Sequence, residues 1–100
     1  MPNTRVTRNS AGISVIEVPI LYTQFTCYVT GVFKGTYQIL VSPNGSEYAL
    51  ATNIGGVRLT DIKVPECNIV GGAHVSAIAL DVTSISSGTI SMDVLELGVN

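Results

Sequence analysis

Hydrophobic and polar residues alternate with a period of two along most of the chain. The run from residue 21 to residue 33 shows the pattern well, with Phe25, Cys27 and Val29 separated by threonine and tyrosine. Successive side chains of an extended strand point to opposite faces, so this alternation indicates strands with one buried face. β-branched and aromatic residues, which favour strands, are frequent in the same segments. No segment has the 3.6-residue period of an amphipathic helix, so the pattern predicts strands throughout.

The clearest turn signal is the sequence Ser-Pro-Asn-Gly at residues 42–45. Tyr37, Ile39 and Val41 share one face before it, and alternation resumes at Tyr48. Proline fixes the backbone where the turn begins, and Asn-Gly accepts positive φ at low cost. The segment predicts a β-hairpin, and we expect Tyr37 and Tyr48 to pack as a cross-strand pair on its two strands. A stacking platform for sugars or bases is the alternative role for these tyrosines.

The remaining segments give strands and turns of the same kind. Residues 73–82 are almost apolar on both faces, which predicts a central strand covered on both sides. Residues 57–64 predict a strand with a bulge or bend in its middle, where the apolar phase shifts. Residues 66–72 and 83–88 are rich in glycine or serine and predict connections between strands.

Strands of this length and spacing predict an all-β protein, an antiparallel β-sandwich of about seven or eight strands with an Ig-like or jelly-roll outline. Residues 1–11 are polar and have no period, which predicts an extended N-terminal arm, although a frayed terminus has the same composition. Residues 12–100 form a single domain in this interpretation, because a chain of 100 residues supports one hydrophobic core.

The chain carries few charges for its size. Hydrophobic residues make up 46% of it, charged residues make up 12%, and the mean hydropathy is +0.45. A typical domain has roughly 25% charged residues. We therefore expect part of this surface to be buried against other chains, in a homo-oligomer or against partner proteins. A surface covered by Ser, Thr, Asn and Gly is the alternative.

The charge pattern argues against two classes of partner. With a net charge of −2 and a pI of about 5.0, the chain has no basic face for nucleic acid. The uncharged run over residues 67–80 is too short for a membrane span and contains polar residues. The first residues lack a clean signal-peptide pattern. We expect a protein made in a cytoplasm that binds neither nucleic acid nor membrane.

Residues with catalytic or metal-binding chemistry are few. His74 is the only histidine, and no motif places a serine and an acid beside it, so a catalytic triad is not predicted. Cys27 and Cys67 form no Cys-x-x-Cys motif, which argues against a zinc site. They would form a disulfide if their strands faced each other, but two buried free thiols fit a cytoplasmic product better. We expect no enzymatic activity, no metal and no cofactor.

Two segments, residues 25–51 and 77–97, carry glycine, serine and aromatic residues in a recurrent order. The first runs through Gly-x-Phe, Gly-Thr, a Ser-x-x-Gly turn and an aromatic residue, and the second has a Ser-Gly turn before a last alternating strand. The residues concerned are Gly31, Phe33, Gly35, Thr36, Ser42, Gly45, Tyr48, Ser87 and Gly88. In this order the chain resembles the small β-sandwich structural proteins of tailed-bacteriophage virions, over about two thirds of its length.

Among such proteins, a chain of this size is most similar to the capsid decoration, or cement, proteins. The resemblance implies a homo-oligomer, with a trimer as one arrangement, on the capsid surface of the virion and made in the host bacterial cytoplasm. It would bridge and stabilise subunits of the major capsid protein, or bind other virion proteins, without chemistry of its own. The predicted contact residues are Arg5 and Arg8 in the arm and Pro43, Asn44 and Gly45 at the hairpin tip. The alternative is a tail, neck or fibre component that acts as a carbohydrate-binding or host-surface-binding module.

Overall fold

Two four-stranded antiparallel sheets make up the fold in the computed structural model, which describes residues 5–17, 24–71 and 75–96. The first sheet has the order β1-β8-β3-β6 and the second has the order β2-β7-β4-β5. The strands are β1 (Arg5–Arg8), β2 (Gly12–Glu17), β3 (Gln24–Thr30), β4 (Phe33–Ser42), β5 (Ala49–Leu50), β6 (Cys67–Gly71), β7 (Ala77–Gly88) and β8 (Ile90–Glu96). The prediction of an all-β protein built from antiparallel sheets is confirmed.

The strands pair in a nested order. β1 lies beside β8, β2 beside β7, β3 beside β6, and β4 beside β5. The pairs β3–β8 and β4–β7 then complete the two sheets. Consecutive strands therefore lie in opposite sheets along most of the chain, and only β4 and β5 are both consecutive and adjacent.

The core lies between the two sheets and is formed by alternate residues of the long strands. Those of the first sheet are Phe25, Cys27, Val29, Val70, Ile90, Met92 and Val94, and those of the second are Ile16, Tyr37, Ile39, Ile78, Leu80 and Val82. The phenolic hydroxyl of Tyr37 donates a hydrogen bond to the carbonyl oxygen of Val64 (2.9 Å), which satisfies the polar end of a fully buried aromatic side chain. The predicted alternation is therefore the alternation that fills the core.

The N-terminal segment differs from the predicted extended arm. Residues 5–8 form β1, whose register along β8 runs from Arg5 opposite Asp93 to Arg8 opposite Ile90. Val6 packs against the core from this edge strand. A short edge strand buries few side chains, so its sequence shows too few apolar positions to reveal a period. Residues 1–4 of the predicted arm lie outside the described residues.

Three other segments differ from the predicted pattern. Residues 67–71, predicted as a connection, form the edge strand β6, and residues 83–88, also predicted as a connection, form the second half of β7. Residues 57–64, predicted as a strand, contribute only isolated bridges, such as the one between Ile62 and Tyr37. Asp61 has φ of 53° in the middle of that segment, at the predicted bend, and this left-handed conformation prevents a regular strand.

Candidate interaction surface

The outer face of the second sheet carries a row of apolar side chains that crosses all four strands. Val15 of β2 lies opposite Ala79 of β7, which lies opposite Leu40 of β4, which lies opposite Leu50 of β5. Val15 is 43% exposed, whereas Ala79 is fully buried between its larger neighbours. Cross-strand neighbours of this kind contact one another along the sheet surface. We call Val15, Ala79, Leu40 and Leu50 the apolar row.

A polar row lies next to it on the same face. Asp81 of β7 is opposite Ile13 of β2 on one side and Gln38 of β4 on the other. The Gln38 amide donates to Asp81 Oδ2 (2.7 Å), and the Thr60 hydroxyl donates to Gln38 Oε1 (3.1 Å). These bonds fix the amide of Gln38 and leave the carboxylate of Asp81 as a negative charge beside the apolar row.

The hairpin tip, residues 43–46, projects from the end of β4 and is exposed. Its shape is set by two side chains. The hydroxyl oxygen of Ser42 accepts from the backbone N–H of Gly45 (2.8 Å), and Asn44 Oδ1 accepts from the backbone N–H of Glu47 (3.0 Å). Gly45 has φ of 81°, which glycine adopts at little cost. The tip is thus ordered before any partner binds, which lowers the entropic cost of association.

The tip and the apolar row meet at a shallow pocket. Its volume is about 280 Å³, and Tyr48 forms part of its wall, with the phenolic hydroxyl donating to the carbonyl oxygen of Gly45 (3.4 Å). The lining residues are Val15, Glu17, Asn44, Gly45, Tyr48, Ser76 and Ala77. The hairpin tip and the apolar row therefore belong to one continuous surface, which includes the predicted contact residues Pro43, Asn44 and Gly45.

Arg8, a predicted contact residue, is engaged within its own chain. Its guanidinium donates to the carbonyl oxygens of Ser10 (3.1 Å) and Ala11 (3.2 Å) and to the hydroxyl of Ser14 (3.0 Å). A Cβ at Gly12 would displace the Arg8 guanidinium, and the φ of 145° at this position favours glycine. Arg8 therefore fastens the connection between β1 and β2.

Arg5, the other predicted contact residue near the N-terminus, lies on the outer face of the first sheet. Its side chain is 57% exposed, and its Nη1 lies 3.5 Å from Asp93 Oδ2. An exposed ion pair of this kind contributes little to stability. The two arginines belong to β1 of the first sheet and the hairpin tip follows β4 of the second, so the structure does not join them in a single site.

The two predicted partners Tyr37 and Tyr48 are separated. Tyr37 points into the core, where its ring meets that of Phe33 edge to face at a centroid distance of 6.1 Å. Tyr48 lies outside, in the pocket wall. β5 contains only Ala49 and Leu50, and its register with β4 does not extend to a position opposite Tyr37. The register decides this outcome, because with Leu40 opposite Leu50 and Val41 opposite Ala49, position 48 continues toward Ser42 at the turn and away from Tyr37.

The residues with reactive chemistry are dispersed. Cys27 and Cys67 are both free thiols, as predicted, but only Cys27 is buried, because Cys67 lies exposed on the edge strand β6. Burial, with the nearby Cys67 as a smaller cause, raises the pKa of the Cys27 thiol to about 12. Within residues 5–17, 24–71 and 75–96 no three His, Cys, Asp or Glu side chains are grouped so as to hold a metal ion. His74 lies outside the described residues.

The described part of the chain also lacks any helix that is long and apolar enough to cross a membrane.

The sequence pattern missed the apolar row for a definable reason. The alternation of Ile13 and Val15 is interrupted by Ile16, Leu40 interrupts that of Ile39 and Val41, and residues 77–80 are apolar at every position. These interruptions were the available signal for a second apolar face. The register between strands decides which of these apolar residues lie side by side. That register is visible only in the folded sheet.

Comparison with known proteins gives a similarity of fold. No protein-family model matches the sequence, and no curated protein matches it. Among solved structures, the chain is similar to the SPBc2 prophage-derived protein YomS, with a TM-score of 0.66 and 12% sequence identity. The similarity covers 95% of this chain and 94% of YomS. The two proteins therefore share an architecture over nearly their whole lengths.

Proposed function

We propose that this protein is a structural component of a tailed-phage virion and that it decorates the capsid, where it bridges and stabilises neighbouring subunits of the major capsid protein. It acts by binding and carries out no catalysis. Support comes from the resemblance of its turn and strand pattern to virion β-sandwiches, and from a fold shared with a prophage-derived protein. Its location in this proposal is the capsid surface, as a homo-oligomer.

The fold in this proposal is of the jelly-roll type. The nested pairs β1–β8, β2–β7, β3–β6 and β4–β5, divided between two four-stranded sheets, are the order produced when one long antiparallel hairpin wraps into a sandwich. An Ig-like sandwich instead places several consecutive strands side by side in one sheet. Jelly rolls are a recurrent architecture of viral capsid domains, which agrees with a virion role.

The observation that carries the proposal is the apolar row beside the ordered hairpin tip. A half-exposed valine or leucine that becomes buried in a contact contributes about 1 kcal/mol, half of the value for a fully exposed side chain. Several such residues in one row, next to a tip whose backbone is already ordered, form a surface that gains free energy on binding. A chain with only 12% charged residues has limited means to keep that face solvated.

The charges around this surface indicate what it binds. Glu17 lines the pocket, Asp81 lies beside the apolar row, and Glu47 follows the hairpin tip. All three are acidic. We expect the contacted capsid surface to be apolar at its centre and to carry lysine or arginine at its rim, because charge complementarity fixes orientation and suppresses wrong partners.

Binding to capsids assembled without this protein tests the proposal. Wild-type protein is expected to co-sediment with such capsids and to saturate at a fixed ratio of chains to capsid subunits. Leu40→Lys places a charge in the apolar row, and we expect it to weaken binding by about tenfold or more, equivalent to ~1.4 kcal/mol. Val57→Lys is the matched control, since Val57 is 59% exposed and lies outside this surface. Equal binding by wild type and Leu40→Lys would contradict the proposed surface.

The pocket beside the tip favours one other role, that of a carbohydrate-binding or host-surface-binding module in a tail, neck or fibre. It combines the aromatic ring of Tyr48 with the polar side chains of Glu17, Asn44 and Ser76, a set suited to the apolar faces and hydroxyls of a sugar. Glycan screening of wild type and Tyr48→Ala distinguishes the two roles. Glycan binding that Tyr48→Ala abolishes, in a protein that ignores capsids, would establish this second role in place of the first.

A further inference from the structure

The backbone of β2 has one edge that no strand of the described chain covers. Tyr37 of β4 exchanges backbone hydrogen bonds with Ile62 (2.9 and 3.0 Å), so its N–H and C=O groups point away from β7. The N–H and C=O groups of successive residues point to opposite sides of a strand. The even-numbered residues 38–42 of β4 therefore direct their N–H and C=O groups toward β7. The register of β4 with β7 then shows that the odd-numbered residues 77–81 of β7 bond to β4, so its even-numbered residues bond to β2. The register of β7 with β2 pairs those residues with Gly12, Ser14 and Ile16, whose N–H and C=O groups point toward β7. Ile13, Val15 and Glu17 therefore direct their N–H and C=O groups toward the open edge.

The side chain of Arg8 gives independent support for this assignment. Its Nη1 donates a hydrogen bond to the carbonyl oxygen of Ile13 (3.4 Å). A carbonyl oxygen that bonded to β7 would point away from this guanidinium, so the contact agrees with an Ile13 carbonyl that faces the open edge. The same residues have their side chains on the outer face, where Ile13 is 54% and Val15 is 43% exposed. Arg8 thus occupies the carbonyl oxygen of Ile13, and from there to Glu17 exposed apolar side chains occur on the strand whose edge no described strand covers.

The other described edge strands lack this combination. β5 has two residues, and the side chains that β1 directs outward are Arg5 and Thr7. The edge of β6 is partly covered, because the N–H of Ile54 donates to the carbonyl oxygen of Ile69 (2.9 Å). Proteins commonly protect exposed edges with short length, charge or a covering loop. β2 has six residues, and within the described chain its edge lies open between Arg8 at its beginning and Glu17 at its end.

The charges on β2 favour one orientation of an added strand. Arg8 lies against the beginning of β2, and Glu17 is its last residue. An identical strand added antiparallel brings Glu17 of one copy to the Arg8 end of the other, whereas a parallel strand would bring like charges together. The edge of β2 is therefore complementary in charge to itself under a two-fold rotation.

We propose that β2 pairs antiparallel with β2 of a second copy, about a two-fold axis at Val15. Val15 of each copy then lies opposite the other, and Ile13 lies opposite Glu17 of the second copy. The second sheets of the two copies become one continuous sheet. Since Val15 is also the end of the apolar row, the two rows join into one row across the dimer. This inference deepens the proposed function and rests on it for its purpose, because a doubled surface can contact two capsid subunits at once.

Proline at position 15 tests the pairing without disturbing the fold. The N–H of Val15 faces the open edge, so Val15→Pro removes no hydrogen bond to β7, and proline is tolerated at such positions. Sedimentation velocity over a concentration series is expected to show a monomer–dimer equilibrium for wild type, and a dissociation constant raised at least about tenfold in Val15→Pro. A single cooperative unfolding transition shows that the variant is folded. Ile16→Pro is the contrasting variant, because the N–H of Ile16 faces β7 and its loss should unfold the strand.

A charge reversal provides a second test that involves no proline. Glu17→Lys should weaken the dimer at least about tenfold, whereas Glu66→Lys, an equal charge change at an exposed position outside β2, should leave it unchanged. A wild-type chain that stays monomeric at the highest concentration would overturn the pairing. So would a dimer or trimer that both Val15→Pro and Glu17→Lys leave intact. Capsid binding by a monomeric wild type would refute the pairing alone, and a β2 dimer that ignores capsids would refute the capsid role alone.

Discussion

Replacing Arg8 with alanine should destabilise the protein through the connection between β1 and β2. The Arg8 guanidinium donates to the carbonyl oxygens of Ser10 and Ala11 and to the hydroxyl of Ser14, at 3.0–3.2 Å. A hydrogen bond of this geometry contributes roughly 0.5–1.5 kcal/mol net of competition with water. Because Arg8 is only half-buried, the lower value applies to each bond. We therefore expect Arg8→Ala to lower the free energy of unfolding by about 1.5–2 kcal/mol.

Urea denaturation and thermal unfolding measure this loss. In a domain of this size each kcal/mol shifts Tm by roughly 4–8 °C, so Tm should fall by about 6–16 °C. Arg58→Ala is the matched control, since Arg58 is exposed, and it should change stability by about 0.5 kcal/mol or less. Arg8→Lys should lose much of the same energy, because lysine keeps the charge but lacks the planar fork of donors. If Arg8→Ala unfolds at the same midpoint as Arg58→Ala, the guanidinium contacts do not stabilise the connection.

Three further predictions concern the same edge and the two thiols. Gly12→Ala should destabilise the protein in urea denaturation, since φ is 145° and the new Cβ would displace the Arg8 guanidinium. The loss should be smaller in an Arg8→Ala background, and equal losses in the two backgrounds would contradict the steric account. Burial raises the pKa of the Cys27 thiol from 9.0 to about 12, so the contribution of this thiol to stability is complete below pH 9.0 and declines as the pH rises toward 12. Cys27→Ala should flatten that decline in denaturation measured as a function of pH. An unchanged slope would contradict the burial of this thiol. Iodoacetamide should label Cys67 in the folded protein and Cys27 only after unfolding, which mass spectrometry of the peptides measures. Rapid labelling of both thiols in the folded protein would contradict the burial of Cys27.

The elements that sequence reasoning predicted well are those whose signal is local. The turn at residues 42–45 is confirmed, because Ser42 and Asn44 supply the hydrogen bonds that close it and Gly45 adopts the positive φ that the Asn-Gly pair indicates. The central position of β7 is confirmed in the second sheet, where residues 77–80 are buried at every position, as their composition indicates. Both features depend on a few consecutive residues.

The elements that sequence reasoning missed depend on pairing with strands that are distant in the sequence. β1 and β6 are edge strands with few buried side chains, so their sequences carry too weak a period to reveal a strand. Residues 83–88 look like a loop because they are rich in serine, yet they form a strand by pairing with the beginning of β4, where Lys34 lies opposite Ser87. No pattern within these segments shows which strand will lie beside them.

The candidate surface also has one part with a local sequence signal and one part that depends on strand pairing. Its hairpin tip was predicted from turn chemistry, whereas its apolar row was missed because Val15 and Leu40 become close only through a shared neighbour, Ala79. Arg8 was predicted to contact a partner because it is a charged residue near a polar terminus. In the structure its guanidinium fastens the connection between β1 and β2, and its contact with a partner stays a prediction.

Hydrogen–deuterium exchange of the protein, free and bound to capsids assembled without it, tests the central claim most directly. If the outer face of the second sheet is the contact surface, exchange should slow in residues 43–50 on binding, while residues 83–88 at the far half of β7 should exchange as in the free protein. Protection confined to the outer face of the first sheet, around Arg5 and Tyr28, would contradict the claim. So would a protein whose exchange the capsid does not change at all.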